Sequence, residues 1–122
     1  MERIIVKPET FEVRPFVVSC ILRNIKFDVQ SYNSFIDLQD KLHNNICRRR
    51  TLGSMGTHDL DKVQFPVTYE AHPPSEINFQ ALKQTKSMNA DELFGVFKDD
   101  VKMKQYLPIL AGKPKYPVFY DS

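Results

Sequence analysis

A chain of 122 residues is long enough for one hydrophobic core and reads as one domain. Hydrophobic residues make up 42% and nine residues are Phe, which excludes a disordered chain; a formal net charge of +2 excludes nucleic-acid binding driven by overall charge, so such a contact has to come from a local patch. The longest apolar run, residues 16–22, falls short of the roughly 20 residues a membrane helix needs, and no basic-then-apolar leader opens the chain, so neither a membrane span nor a signal peptide is expected.

Residues 3–7 (RIIVK) are short and β-branched and stop at Pro8, which predicts a first or edge strand. Residues 7–13 alternate loosely and predict a loop with some extended character. Residues 15–27 (PFVVSCILRNIKF) carry the strongest strand signal of the chain. Val17, Ser19 and Ile21 share one parity, Val18, Cys20 and Leu22 the other, and both are mostly apolar, as in a strand covered on two sides.

The stretch 31–63 organises the rest. Asp28 and Ser31 are both helix-start residues, with Ser31 the expected cap. Phe35, Leu38, Leu42 and Ile46 then recur at spacings of three and four, one apolar stripe of a helix. Three consecutive arginines, Arg48, Arg49 and Arg50, follow at the helix end, where cations favour the macrodipole. Residues 51–57 (TLGSMGT) hold two of the four glycines and predict a strand with a close approach or bulge. Residues 58–62 predict a turn or one helical turn with Asp59 and Asp61 as cap residues.

Residues 67–71 (VTYEA) alternate as a strand and run into His72, Pro73 and Pro74, which predict a loop. Residues 77–82 are expected to be extended or irregular. Asn89 with Glu92 three positions on is a capping box, and opens a helix over 90–99. Residues 101–110 predict a second helix, kinked by Pro108 and ended by Gly112 and Pro114. Residues 116–120 (YPVFY) are a last strand. The fold class expected is α/β (mixed α+β), with a mostly antiparallel or mixed sheet packed by two to three helices.

Four blocks in order, RPFVVSCILRNIKF, SFIDLQDKLHNNICRRR, GTHDLDKV and KPKYPVFYDS, resemble the beta subunit of the eukaryotic and archaeal phenylalanine–tRNA ligase, more closely the eukaryotic cytosolic form. The likeness runs from about Arg3 to Ser122. It implies that residues 1–122 are part of the central editing domain, truncated at the C-terminal side. It implies a parent aminoacyl-tRNA ligase that joins Phe to tRNA(Phe) with ATP and Mg, as a cytoplasmic heterotetramer of two alpha and two beta subunits. It also implies hydrolytic editing of Tyr-tRNA(Phe). Such editing has a physical motive: an apolar pocket rejects an added hydroxyl weakly, whereas a site that hydrogen-bonds the phenol selects Tyr strongly.

The family motif Tyr-Pro-x-(apolar)-x-Asp-Ser places Phe119 at the apolar position of the editing pocket, where the resemblance leads one to expect Leu or Ile. The other pocket blocks of the family, a Ser-Met-Pro-Pro-like block and an Asp-x-Thr block, would follow Ser122. The chain alone is therefore expected to be inactive, to hold no cofactor and no metal, and to leave its catalytic residues unknown.

From the residues themselves, Gly56, Thr57 and His58 are further pocket candidates: Thr and His can hydrogen-bond a phenol or ribose, and His can act as a base near neutral pH. The plainer reading is a turn capped by Asp59. Arg48, Arg49 and Arg50 are candidates for tRNA phosphate contact, since guanidinium forks suit phosphate oxygens; the plainer reading is a solvated helix end. His43 is expected on the surface. Cys20 and Cys47 match no metal or redox motif and are expected as buried, reduced thiols. The alternative for the whole chain is a non-catalytic structural or tRNA-docking module at the subunit interface.

Overall fold

The computed structural model describes residues 2–122. The chain divides into two compact units, one formed by the residues up to 19 together with 64–122, the other by 20–63.

The first unit is built on a three-stranded mixed sheet. The central strand, β2 (Val67–His72), pairs in parallel with β1 (Ile4–Val6) and antiparallel with β5 (Tyr116–Tyr120). Its period-two pattern is physical: Val67, Tyr69 and Ala71 are buried while Thr68, Glu70 and His72 are half-buried. The predicted strands at 3–7, 67–71 and 116–120 are therefore all present, and β2 extends to include His72, which was expected in a loop. Residues 8–12 are not loop but a 3₁₀ turn (Pro8–Glu12). Pro8 presets its φ at a position that needs no amide donor, and buried Thr10 donates its hydroxyl to the Lys7 carbonyl at 2.7 Å.

A smaller layer packs beside this sheet. The short strands β3 (Asn78–Phe79) and β4 (Met88–Asn89) pair antiparallel, and α2 (Ala90–Phe97) follows at once. The capping box forms as the sequence predicts: the Glu92 amide donates to Asn89 Oδ1 at 2.9 Å, and the Asn89 amide donates to Glu92 Oε2 at 3.0 Å. Ile77, Ala90 and Tyr116 form a buried cluster against which Phe94, Leu110 and Val118 pack. The helix expected over 101–110 is two 3₁₀ turns instead, Met103–Gln105 and Leu107–Ile109. Pro108 lacks an amide donor and biases Leu107 away from the α region, so a regular helix cannot propagate there. Gly112, with φ +75°, ends the segment.

The second unit is organised by α1 (Val29–Asn44). Asp28, not Ser31, is its N-cap. The Ser31 amide donates to Asp28 Oδ1 at 2.7 Å and the Asp28 amide donates to Ser31 Oγ at 3.0 Å, so Ser31 is the reciprocal partner. This bond holds the Asp28 carboxyl below its usual range. The apolar stripe is covered only in part: Phe35 and Leu42 are half-buried, Leu38 and Ile46 are exposed, and Ile36, Gln39, Asp40 and His43 are covered as well. After the helix, turns lead through 45–52, and a 3₁₀ turn (Leu60–Lys62) is capped by Asp59, as expected.

Two predicted strands are absent. Residues 15–27 adopt no regular structure and pair with no strand among the described residues; Phe16 is 90% exposed and Val18 96%. Strand propensity expresses packing against cross-strand neighbours, and here the run has none. Residues 51–57 likewise form no ladder; the Met55 amide and the Thr57 hydroxyl are instead taken up by side chains of α1.

Candidate functional site

The candidates fall in different units. Phe119 belongs to the first unit, and Gly56, Thr57, His58 and the three arginines to the second.

Phe119 lies on β5 directly opposite Tyr69 of β2. The rings stack at 4.6 Å with an interplanar angle of 26°, an arrangement that β-sheet registry produces when aromatics oppose one another. Tyr69 is 4% exposed and is fixed at its far end, where its hydroxyl donates to the Arg14 carbonyl at 2.9 Å. Burial pushes the Tyr69 phenol up. Phe119 thus has one covered face and one open face, and is 52% exposed. A rigid aromatic wall with an open face suits an apolar or aromatic ligand group. Around Asp121 the chain is tied down: its carboxylate accepts from the Gln64 amide at 3.2 Å, and the Ser122 amide donates to the Gln64 carbonyl at 3.2 Å.

On the same sheet, His72 makes a cluster that the sequence did not reveal. Its Nε2 lies 2.7 Å from Glu70 Oε2 and its Nδ1 lies 3.9 Å from Glu76 Oε2; its ring meets the edge of Tyr120 at 5.9 Å. The His72 hydrogen bond is the main reason the Glu70 carboxyl sits below its usual range, with Thr68 adding to it. Burial first, then the Glu70 and Glu76 charges, push the Tyr120 phenol up. The signal available in sequence was the i,i+2 spacing of Glu70 and His72 on one strand face.

In the second unit Gly56, Thr57 and His58 are exposed. Thr57 donates its hydroxyl to Gln39 Oε1 at 2.7 Å, and so is a structural tie to α1. A Cβ at Gly56 would stand 3.2 Å from the His58 Nε2, so the glycine leaves room for that ring. The arginines are not on the helix. Arg48, Arg49 and Arg50 have φ of 48°, 53° and 66°, three successive left-handed residues. Each costs on the order of 1–2 kcal/mol relative to right-handed backbone. The turn is closed by the Cys47 amide donating to the Leu42 carbonyl at 3.1 Å, the Arg50 amide to His43 at 3.3 Å and the Leu52 amide to Cys47 at 3.1 Å. Thr51 Oγ1 donates to the Arg48 carbonyl at 2.6 Å. Left-handed backbone favours Gly and Asn, so nothing in an arginine triplet announces it. Arg48 and Arg49 are exposed and Arg50 is half-buried.

Three expectations are overturned. His43 is 2% exposed rather than on the surface, because residues 51–57 fold over its helix face. Cys20 is exposed, being part of the unpaired run, and Cys47 is half-buried; both are free thiols. Grooves of about 420 Å³ beside Phe94, Lys98, Leu107 and Pro108, and of about 580 Å³ beside Phe27, Phe35, Leu38 and Lys41, are lined by none of the candidates.

Among the described residues no group of three or more His, Cys, Asp or Glu is placed to hold a metal ion. No helix of the described residues is long and apolar enough to cross a membrane.

Comparison with known proteins gives a consistent result. The chain is 62% identical over 117 residues to the cytoplasmic phenylalanine–tRNA ligase beta subunit of Arabidopsis thaliana, covering 96% of this chain and 20% of that protein. It is 51% identical over 122 residues to the human phenylalanine–tRNA ligase beta subunit, covering 100% of this chain and 21% of that protein. The chain thus spans about a fifth of the length of these relatives. A crystal structure of an N-terminal fragment of the phenylalanyl-tRNA synthetase beta subunit from Pyrococcus horikoshii superimposes with a TM-score of 0.88 at 27% identity, over 99% of this chain and 34% of that one. No family model matches.

Proposed function

We propose, from the premise that this chain belongs to the phenylalanine–tRNA ligase beta-subunit family, that it contributes one wall of a proofreading pocket for Tyr-tRNA(Phe). The observation that carries the reading is the match along the whole chain to beta subunits. The structure supports it with one particular: the ring at the family's pocket position, Phe119, is held rigidly on Tyr69 with its other face open.

In this reading Phe119 packs against the aromatic ring of the misattached tyrosine. Selection of Tyr over Phe then rests on hydrogen bonds to the phenol, which Phe would leave unpaired. A positioned water, helped by the terminal ribose hydroxyl, hydrolyses the ester; no Ser or Cys among the described residues has the setting of a nucleophile. The parent ligase joins Phe to tRNA(Phe) with ATP and Mg, and works in the cytoplasm with an alpha subunit as a heterotetramer.

The test is hydrolysis of Tyr-tRNA(Phe) by the intact two-subunit ligase carrying Phe119→Ala. Hydrolysis is expected to fall about tenfold or more, as for a lost positioning contact, while aminoacylation with Phe is kept. Unchanged hydrolysis contradicts the reading.

A second reading, docking of tRNA without chemistry, is favoured by the left-handed turn, which holds Arg48 and Arg49 in solvent. Replacing both by Gln is then expected to raise KM for tRNA with kcat unchanged, and to lower the salt slope of binding by roughly one per lost phosphate contact. An unchanged slope removes this reading.

A further inference from the structure

Gln39 and His43, four residues apart, share one face of α1, and Cys47 follows in the turn after the helix. Residues 53–57 run along that face. Gly53 lies beside Cys47, where an added Cβ would be 3.9 Å from the sulfur. The Met55 amide donates to His43 Nε2 at 2.8 Å. Thr57 Oγ1 donates to Gln39 Oε1 at 2.7 Å. Residues 53, 55 and 57 of the strap thus meet residues 47, 43 and 39 in turn.

His43 is the central tie, and its chemistry differs from that of its neighbours. An imidazole nitrogen that accepts from a backbone amide carries no proton, so the neutral ring holds its proton on Nδ1. Nδ1 is buried, with no hydrogen-bond partner among the described residues. A second proton, at Nε2, would set one donor against another and leave the Met55 amide without an acceptor.

We propose that neutral His43 is a positioning latch that holds the strap 53–57 on α1, and that its protonation releases the strap, Gly56 and Thr57 with it, together with the adjoining His58. The surroundings favour the neutral ring. Burial, then the Arg50 cation, hold the His43 pKa below its ordinary 6.5; Asp40 and then the Met55 contact pull more weakly the other way. The strap itself, Gly53 to Thr57, carries no charged group. The proposal stands on the second unit alone and does not depend on the proofreading reading.

The experiment is an NMR titration of the isotopically labelled 122-residue chain from about pH 8 to about pH 5. It follows the His43 ring nitrogens and the exchange protection of the Met55 amide. Nε2 is expected to be the unprotonated nitrogen at the alkaline end. Met55 protection is expected to fall about tenfold or more as His43 takes up its proton. His43→Gln keeps an acceptor that does not titrate, so protection there should be independent of pH; His58→Gln should respond like the unaltered chain. A proton on Nε2 at alkaline pH overturns the proposal. So does titration of His43 with Met55 protection unchanged, or a His43→Gln variant that opens over the same range. If His43→Gln fails to fold, the tautomer and the coupled titration in the unaltered and His58→Gln chains still decide.

Discussion

Two stretches of this chain look alike as sequence and differ as structure. Residues 15–27 and residues 67–72 are both rich in apolar and β-branched types. The second is the central strand of a sheet, with Tyr69 buried at 4% exposure; the first is unpaired, with Val18 at 96%. The difference lies in their neighbours. β2 has β1 on one side and β5 on the other, so its amide and carbonyl groups are satisfied and its odd-numbered side chains are covered. Composition sets how well a segment suits a sheet, and pairing decides whether it joins one.

The largest effect should come from the paired stretch. Tyr69→Ala removes a buried ring, its stack on Phe119 and its bond to Arg14, and is expected to cost about 3–5 kcal/mol in chemical denaturation. Val18→Ala, in the unpaired stretch, should change stability by less than about 0.5 kcal/mol. Comparable losses at the two sites would erase the contrast. Asn89→Ala lies between them. It removes the cap of α2 and should cost about 1 kcal/mol, with helix content lowered.

A smaller effect concerns pH. The Glu70 carboxyl is held below its usual value, mainly by His72, so the folded state binds fewer protons there than the unfolded state. Its contribution is complete above the ordinary value of 4.5 and is lost as pH falls through the lowered folded pKa. Glu70→Gln should flatten the acid limb of the stability curve. An acid limb unchanged by the substitution would show that the His72 contact is not formed in solution.

What the sequence made legible follows the same division. Local chemistry was readable: Asn89 and Glu92 close their box within four residues, Asp59 caps its turn, and the alternation of 67–71 needs only its own pattern. The strand at 116–120 was readable because Pro114 and the chain's aromatic residues bound it. Features that depend on distant parts were not. The predicted strand at 15–27 fails for lack of a neighbour, and the strap at 53–57 covers the Gln39 and His43 side of α1, while of the predicted stripe only Phe35 and Leu42 are half-buried. His43 is buried for that reason, against its usual surface placement. The left-handed arginines are closed by carbonyls of Leu42, His43 and Cys47, which no residue preference encodes. At the candidate site, Phe119 was named by resemblance, but its support by Tyr69 is a matter of strand register.

Exposure alone therefore does not separate Phe119 from Val18; what separates them is the rigid partner beneath one of them. The most direct test is single-turnover hydrolysis of Tyr-tRNA(Phe) by the intact ligase, comparing Phe119→Ala with Val18→Ala. The account predicts a loss of about tenfold or more for Phe119→Ala and none for Val18→Ala, with Phe attachment equal in both. Equal hydrolysis by the two variants, or a parallel loss of Phe attachment in Phe119→Ala, would contradict it.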